Sequence, residues 1–428
     1  MSGILLRRVR PLGGDEVDVL VQDGVIAAIG TDLPVVDVEV IEGAGNILLP
    51  GLVDLHTHLR EPGREDAETV ASGTAAAARG GFTAVFAMAN TTPVADSAAV
   101  VEQVWRLGRE IGLCDVHPVG AVSVGLKGEQ LAELGTMADS AAQVRVFSDD
   151  GNCVSDALLM RRALEYVKAF DGVIAQHAQE PALTAGADMN EGEVSASLGL
   201  RGWPRVAEEA IIARDLMLTE YLGSRLHLCH ISTAGSVELV RAAKARGVDV
   251  SAEVTPHHLM LTEELARSYD PLYKVNPPLR TAEDVEALRD ALADGTIDVI
   301  GTDHAPHADE DKDCEWGCAS FGMLGLQTAL SVVVEAMIRT GRLDWAGIAD
   351  RMSVRPARIG RVENQGRPIV VGEPANLTLI DPDAEWVVDP LELGSLSRNS
   401  PFAGRTLPAE IVVTFLRGRP TYRKGAVH

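Results

Sequence analysis

Basic residues are in short supply: 38 Lys plus Arg stand against 62 Asp plus Glu, a net charge of −24 over 428 residues. That balance argues against binding the phosphate backbone of nucleic acid and against docking on an anionic membrane. No run of about 18 uninterrupted apolar residues occurs, so no helical membrane span is expected. The start, Met1-Ser-Gly-Ile-Leu-Leu-Arg-Arg, carries basic residues but no apolar core or small-residue cleavage site behind them. It is not read as a secretory signal. Cysteines are few and odd in number: Cys114, Cys153, Cys229, Cys314 and Cys318. Such a set suggests reduced thiols and a cytoplasmic setting. Cys314 and Cys318 have a metal-compatible spacing but lack a second pair, which makes a weak zinc signal. The 41 Gly and 21 Pro are spread along the chain and leave no low-complexity segment.

What is present is ordinary for a globular chain, with 46% hydrophobic and 23% charged residues. The length suits one α/β barrel of about 250 residues plus a smaller unit. Residues 1–48 read as short strands, among them Val17–Gln22, Val25–Ile29 and Val38–Ile41, separated by Gly or Asp turns. A different rhythm follows over 49–355: a short apolar strand, a turn, then a helix. The strand candidates are Leu52–His58, Ala84–Ala89, Val116–Val122, Val144–Ser148, Gly172–His177, Leu226–His230, Val248–Val254 and Ile297–Thr302. Continuous apolar runs of this kind mark parallel strands buried on both faces. Helical stretches lie between them, such as the alanine-rich Ala67–Arg79, Ala98–Ile111 and Val206–Leu222. Eight such units predict a closed (β/α)8 barrel with its active site at the C-terminal strand ends. Residues 356–428 return to β character around Gly372–Asp381 and Ile411–Gly418. They are expected to pair with the N-terminal strands as one discontinuous β-sandwich domain. The longest connection, between His177 and Val206, reads as functional or flexible.

The chemistry gathers at the predicted strand ends. His56 and His58 are two apart, and on a strand side chains two apart share a face. Two imidazoles at a barrel mouth can chelate one metal ion. Arg60 continues the same parity and is placed to meet an anion. Asp149 and Asp150 follow strand four, His177 ends strand five, His230 ends strand six, and Asp303, His304 and His307 follow strand eight. A ligand set of four His and two Asp at strand ends points to a metal site suited to zinc, manganese or cobalt. One catalytic ion rarely takes six protein ligands, so two ions sharing a carboxylate and a hydroxide fit better. Adjacent residues on a strand face opposite ways, so only one of Asp149 and Asp150 is expected to point inward. Two divalent ions exceed the charge of two aspartates and a hydroxide, which leaves a positive pocket for an anionic substrate. His117 and His227 read as packing residues, and His257 and His258 as supporting groups. His304 reads as orienting its loop. The five tryptophans show no stacking pattern.

The motifs LPGLVDLHTHLREPG, MANTTPV, FSDDG, LCHIST, AEVTPHHL, YKVNPPLR, IGTDHAPH and SFGMLGLQTA span nearly the whole chain. In them the sequence resembles the bacterial class I dihydroorotases of the amidohydrolase superfamily. The resemblance implies a zinc-dependent, reversible ring opening of dihydroorotate to N-carbamoyl-aspartate, the third step of pyrimidine biosynthesis. It implies that His56, His58 and Asp303 hold one zinc and His177 and His230 the other. It implies that Asp150 bridges them, where many relatives use a carbamylated lysine; no lysine stands at the end of strand four here. Asp303 is implied as the proton carrier. Arg60, Asn90 and His307 are implied as the clamp on the substrate carboxylate. Asn276 and the backbone of Phe321 and Gly322 are implied to hold the ring amides. The acidic segment 308–319 reads equally as a mobile cover or as a solvated loop. A homodimer and a contact with aspartate transcarbamoylase are implied partners. Two rival readings follow: another cyclic amidohydrolase (dihydropyrimidinase, hydantoinase or allantoinase), or a metal-free structural partner of the transcarbamoylase. The carboxylate clamp argues against the first, and the complete ligand set against the second.

Overall fold

The computed structural model describes residues 3–425. Five strands come first: β1 (Gly3–Pro11), β2 (Val17–Gln22), β3 (Val25–Gly30), β4 (Val38–Glu42) and β5 (Ile47–Pro50). Two of these, β1 and β5, were not marked by the turn-bounded apolar pattern. The first carries Arg7, Arg8 and Arg10, and the second is only four residues long.

The barrel strands are β6 (Leu52–Thr57), β7 (Phe82–Ala87), β8 (Asp115–Pro118), β9 (Val146–Phe147), β10 (Val173–Gln176), and, after the long connection, β13 (Leu226–Leu228), β14 (Val250–Val254) and β15 (Val299–Ile300). Each overlaps its predicted segment, although β9 and β15 keep only two residues of theirs. The C-terminal ends of several segments leave the ladder early, because there the chain turns outward to build the site. The strands pair in parallel as β6-β7-β8 and β9-β10-β13-β14-β15. Parallel bridges Gly120↔Phe147 and Thr57↔His304 join the two arcs into a ring. The connection between β10 and β13 holds a small parallel ribbon, β11 (Met189–Asn190) on β12 (Gly202–Trp203).

Local chemistry fixes the helices. The first, Val70–Arg79, starts at Val70 rather than Ala67 because Thr69 caps it. Thr69 Oγ1 accepts from the Ser72 amide at 3.1 Å, and Ser72 Oγ accepts from the Thr69 amide at 3.0 Å. Reciprocal caps of this type satisfy two orphan amides. The helix packs tightly on the barrel rim: a Cβ at Gly73 would lie 2.6 Å from Leu59, next to His58. Inside the barrel, Val53, Leu55, Ala84, Phe86, Val146, Val173, Ala175 and Val299 form one buried cluster, joined from beyond the barrel by Ala357, Ile359 and Val362.

The C-terminal strands β16 (Leu377–Val387), β17 (Thr406–Leu416) and β18 (Arg419–Arg423) complete the small domain. Its sheet runs β18-β17-β16-β5-β1-β2-β3, with β4 on β1. The antiparallel pairing of β16 with β5, Leu377↔Pro50 through Ile380↔Ile47, unites the two chain ends. The sheet includes β5 as far as Pro50, two residues past the change of rhythm seen at 48. All five cysteines are free. No helix of the described residues is long and apolar enough to cross a membrane.

Candidate active site

At the C-terminal mouth, four imidazoles converge on two carboxylates. His56 and His58, at the end of β6, each set Nε2 3.3 Å from Asp150 Oδ2. The same two nitrogens lie 3.4 and 3.1 Å from Asp303 Oδ1. On the other side, His177 Nδ1 and His230 Nε2 each lie 3.2 Å from Asp150 Oδ1 and 3.0 Å from one another. One carboxylate thus divides its two oxygens between two histidine pairs. All six side chains are buried, the most accessible being Asp303 at 6%.

The choice between the adjacent aspartates is decided by their surroundings. Asp149 accepts from the Val122 and Ser123 amides at 2.8 and 2.9 Å and from the Ser123 hydroxyl. It ties down the loop after β8, while Asp150 faces the histidines. Backbone strain marks the same place: Arg60, His230 and Asp303 have φ of 60°, 30° and 47°. Non-glycine residues held in the left-handed region cost about 1–3 kcal/mol each and tend to cluster at functional sites.

The electrostatics call for a cation. Asp150, Asp303 and Glu253 are all buried, and among the described residues no Lys or Arg lies within ion-pairing distance of them. Burial alone would raise the Asp150 carboxyl, but His56, His177 and His230 hold it well below the usual carboxylate range. Burial also works against a charged His56, yet Asp150, Glu253 and Asp303 together push its pKa well up. Asp303 is drawn down to about 2 against burial, first by His56 and then by His58. His56 Nε2 is a buried nitrogen with no hydrogen-bond partner among the described residues. Two groups of converging ligand atoms, His56–Asp150–His230 and His56–His58–Asp303, could hold metal ions. Nitrogen and carboxylate donors in these sets fit a borderline divalent ion such as zinc.

Two residues that the sequence did not single out organise this centre. Glu253 on β14 is fully buried and accepts from His56 Nδ1 at 2.6 Å, His227 Nε2 at 3.1 Å and the His230 amide at 3.1 Å. His227 is therefore a partner of Glu253 and not merely packing. Asp54 on β6 accepts from the His56 amide at 3.0 Å and from the Thr302 amide and hydroxyl at 3.0 and 2.5 Å. Burial pushes the Asp54 carboxyl up to about 7. The available signal was an acidic residue inside an apolar strand, which is rarely buried without partners.

The remaining candidates ring the mouth. Arg60 Nε donates to the Pro306 carbonyl at 3.0 Å, and its terminal nitrogens make no hydrogen bond to the described residues. Burial brings its pKa down to about 10, so it stays cationic at neutral pH. Asn90 Oδ1 lies 2.9 Å from His58 Nδ1, which orients that ring. Asn276 Nδ2 donates to Gln179 Oε1 at 3.0 Å, and its buried Oδ1 has no partner among the described residues. His307 departs from the expected clamp geometry. Burial pulls its pKa down to about 3, so the ring is neutral, and its Nε2–H donates to the Phe321 carbonyl at 2.8 Å. The backbone groups expected to meet the ring amides are also engaged. The Gly322 amide donates to the Lys274 carbonyl at 3.0 Å, and the Gly322 carbonyl accepts from Asn399 at 3.3 Å. A Cβ at Gly322, where φ is 140°, would sit 2.7 Å from His307 Nε2, so only glycine fits. His304 holds its loop as expected, with Nε2 3.2 Å from Glu68 and Nδ1 accepting from the Gly325 amide at 3.2 Å.

The family model described as Dihydro-orotase-like matches residues 45–236. The dihydroorotase of Streptomyces coelicolor is 66% identical over 425 residues, covering 99% of both chains. That of Mycobacterium tuberculosis is 58% identical over 426 residues, again covering 99% of each. Among solved structures, the L-hydantoinase (dihydropyrimidinase) of Arthrobacter aurescens has a TM-score of 0.88 at 28% identity, covering 100% of this chain and 98% of that one. The dihydropyrimidinase of Brevibacillus agri, at 22% identity and a TM-score of 0.83 over 98% of this chain and 95% of that one, shares the fold. A parallel barrel whose mouth gathers histidines round shared carboxylates, flanked by a β-sandwich, is the architecture of the amidohydrolase superfamily. Within it, the chain belongs to the dihydroorotase family, and its activity is that of a dihydroorotase.

Proposed function

We propose that the chain opens the dihydroorotate ring to N-carbamoyl-aspartate at a centre of two zinc ions, with Asp150 as the shared protein ligand. The observation that carries this reading is the division of the Asp150 oxygens between His56/His58 and His177/His230. His56, His58 and Asp303 would hold one ion, and His177 and His230 the other. Bound divalent metal supplies an acidified water and a polarised carbonyl.

The protein's own groups do the rest. Asp303, ionised at neutral pH, is placed to take a proton from the attacking water and pass it to the departing amide nitrogen. Arg60, with free terminal nitrogens, and the Asn90 amide meet the substrate carboxylate. Asn276 offers its unpartnered Oδ1 to a ring N–H. His307 serves by fixing Phe321. The burial of the centre excludes bulk water and strengthens each of these contacts.

An assay of the zinc-loaded protein on dihydroorotate, dihydrouracil, hydantoin and allantoin tests the reading. Preference for the carboxylated ring is expected; equal or better turnover of an uncharged ring would overturn it. Metal analysis is expected to find two equivalents of zinc per chain. We place the enzyme in the cytoplasm as a homodimer. Exposed Leu158, Tyr166, Met217 and Tyr221, on two neighbouring helices, support self-association. A monomeric sedimentation coefficient would refute it.

A further inference from the structure

Lys312 lies in the segment 308–319 and is only 6% exposed. A lysine ammonium has three donors and no acceptor. Lys312 Nζ finds three carbonyls: Pro271 at 3.0 Å, Lys274 at 3.1 Å and Ser320 at 2.7 Å. No carboxylate of the described residues lies within ion-pairing distance of it. Burying a charge against neutral dipoles alone is costly. Burial, aided by repulsion from Lys274, brings its pKa down to about 7.

Lys274 makes the return contact. Its Nζ donates to the Trp316 carbonyl at 2.6 Å and the Gly317 carbonyl at 3.4 Å, both in the segment that carries Lys312. It also stands 4.5 Å over the Phe321 ring and 3.8 Å from Asp188. The Lys274 carbonyl accepts from both Lys312 Nζ and the Gly322 amide. Each lysine thus grips the backbone of the other's segment. Between them lie Phe321 and Gly322, and Asn276 follows two residues after Lys274. The exposed acids Asp309, Glu310 and Asp313 face solvent, while Lys312 and Trp316 face inward. The segment therefore has a solvated outer side and a fastened inner one.

We propose that Lys312 and Lys274 are positioning residues: a reciprocal clamp that fastens segment 308–322 to the loop of Lys274 and Asn276 and sets where Asn276 meets the substrate ring. The inference rests on the assignment of Asn276 to the ring under the function proposed above.

The test uses full-length zinc-loaded enzyme and the variants Lys312→Met, Lys312→Arg and Lys274→Met. Displacements near 1 Å in a substrate-positioning element can cost up to about a hundredfold. KM for dihydroorotate is expected to rise about tenfold or more in both Met variants. Metal content should be unchanged and kcat should stay within about threefold. Lys312→Arg, which keeps the charge and donors, should recover part of the KM. Amide exchange over 308–322 should quicken in Lys312→Met and stay unchanged over the barrel strands. Unchanged KM and exchange in the Met variants, or kcat falling together with loss of metal, would overturn the clamp. Failure of the unmodified enzyme to turn over dihydroorotate would instead overturn the substrate reading, and the exchange measurement would still decide the clamp.

Discussion

Replacing Glu253 by glutamine keeps the shape of the side chain and removes a buried negative charge from behind the metal-facing histidines. Glu253 Oε1 accepts from His56 Nδ1 and the His230 amide, and Oε2 from His227 Nε2. Accepting a proton at Nδ1 fixes the His56 tautomer, so that Nε2 presents its lone pair to the mouth. A hydrogen bond to a charged group contributes about 1.5–3 kcal/mol. Outer partners of metal-ligating histidines carry about 10–100-fold in metal affinity. At about 1.4 kcal/mol per decade the two figures agree. In Glu253→Gln the amide oxygen can keep the His56 bond. The new NH2 then faces His227, which can switch tautomer because Ser251 Oγ lies 2.9 Å from its other nitrogen. The expected loss of zinc affinity is therefore near the lower end, about tenfold. In Glu253→Ala, where His56 loses its partner altogether, it approaches about a hundredfold. Competition against a chromogenic chelator measures the affinity, and kcat at saturating zinc should fall far less than the affinity does. A folded Glu253→Ala protein with unchanged zinc affinity would refute the assigned role.

Four further outcomes are expected. Asp303→Asn should lose at least about a hundredfold in kcat while circular dichroism stays unchanged; retained turnover would remove the proton-carrying role. Arg60→Met should raise KM for dihydroorotate by about tenfold or more at unchanged zinc content, as loss of a buried charge-assisted contact predicts; loss of zinc with KM unchanged would assign Arg60 elsewhere. Chelation should abolish activity and lower the thermal midpoint, both restored by zinc, manganese or cobalt. Lys312 should leave a signature in stability against pH. Its folded pKa of about 7 lies below the ordinary 10.5, so between those values the unfolded chain binds more protons and stability rises with pH. The slope is at most about 1.4 kcal/mol per unit. The difference between wild type and Lys312→Met in denaturant titrations should therefore shift across pH 7–10, and a flat difference would refute the depressed pKa.

The barrel was legible because its strands are buried on both faces and read as unbroken apolar runs between helices. The metal-facing histidines were legible because they stand at the ends of those runs. Asp150 and Asp149 could not be told apart by position alone; the Val122 and Ser123 donors that claim Asp149 come from a loop 27 and 26 residues away. Glu253 and Asp54 do not stand out in the sequence because each sits inside a strand whose hydrophobic neighbours dominate the pattern, although burial of a lone carboxylate there demands a reason. Position makes His307 an anion contact, but whether its proton faces substrate or Phe321 depends on a chain segment that only tertiary structure brings close. The edges of the small domain were the faintest, since β1 mixes arginines with apolar residues.

The ring closes at Thr57↔His304, with the His58 amide donating to the His304 carbonyl at 2.8 Å and Asp54 bonded to Thr302 beside it. His58 and Asp303, which face each other across this seam, are 245 residues apart in the chain. Contacts of such sequence separation form late, because the closure entropy of the intervening loop must be met first. A cation shared by the two would act as a clasp on the last joint of the barrel. The metal-free chain should then open first along the boundary between its first and last barrel strands, and loading the ion should be coupled to completing the ring.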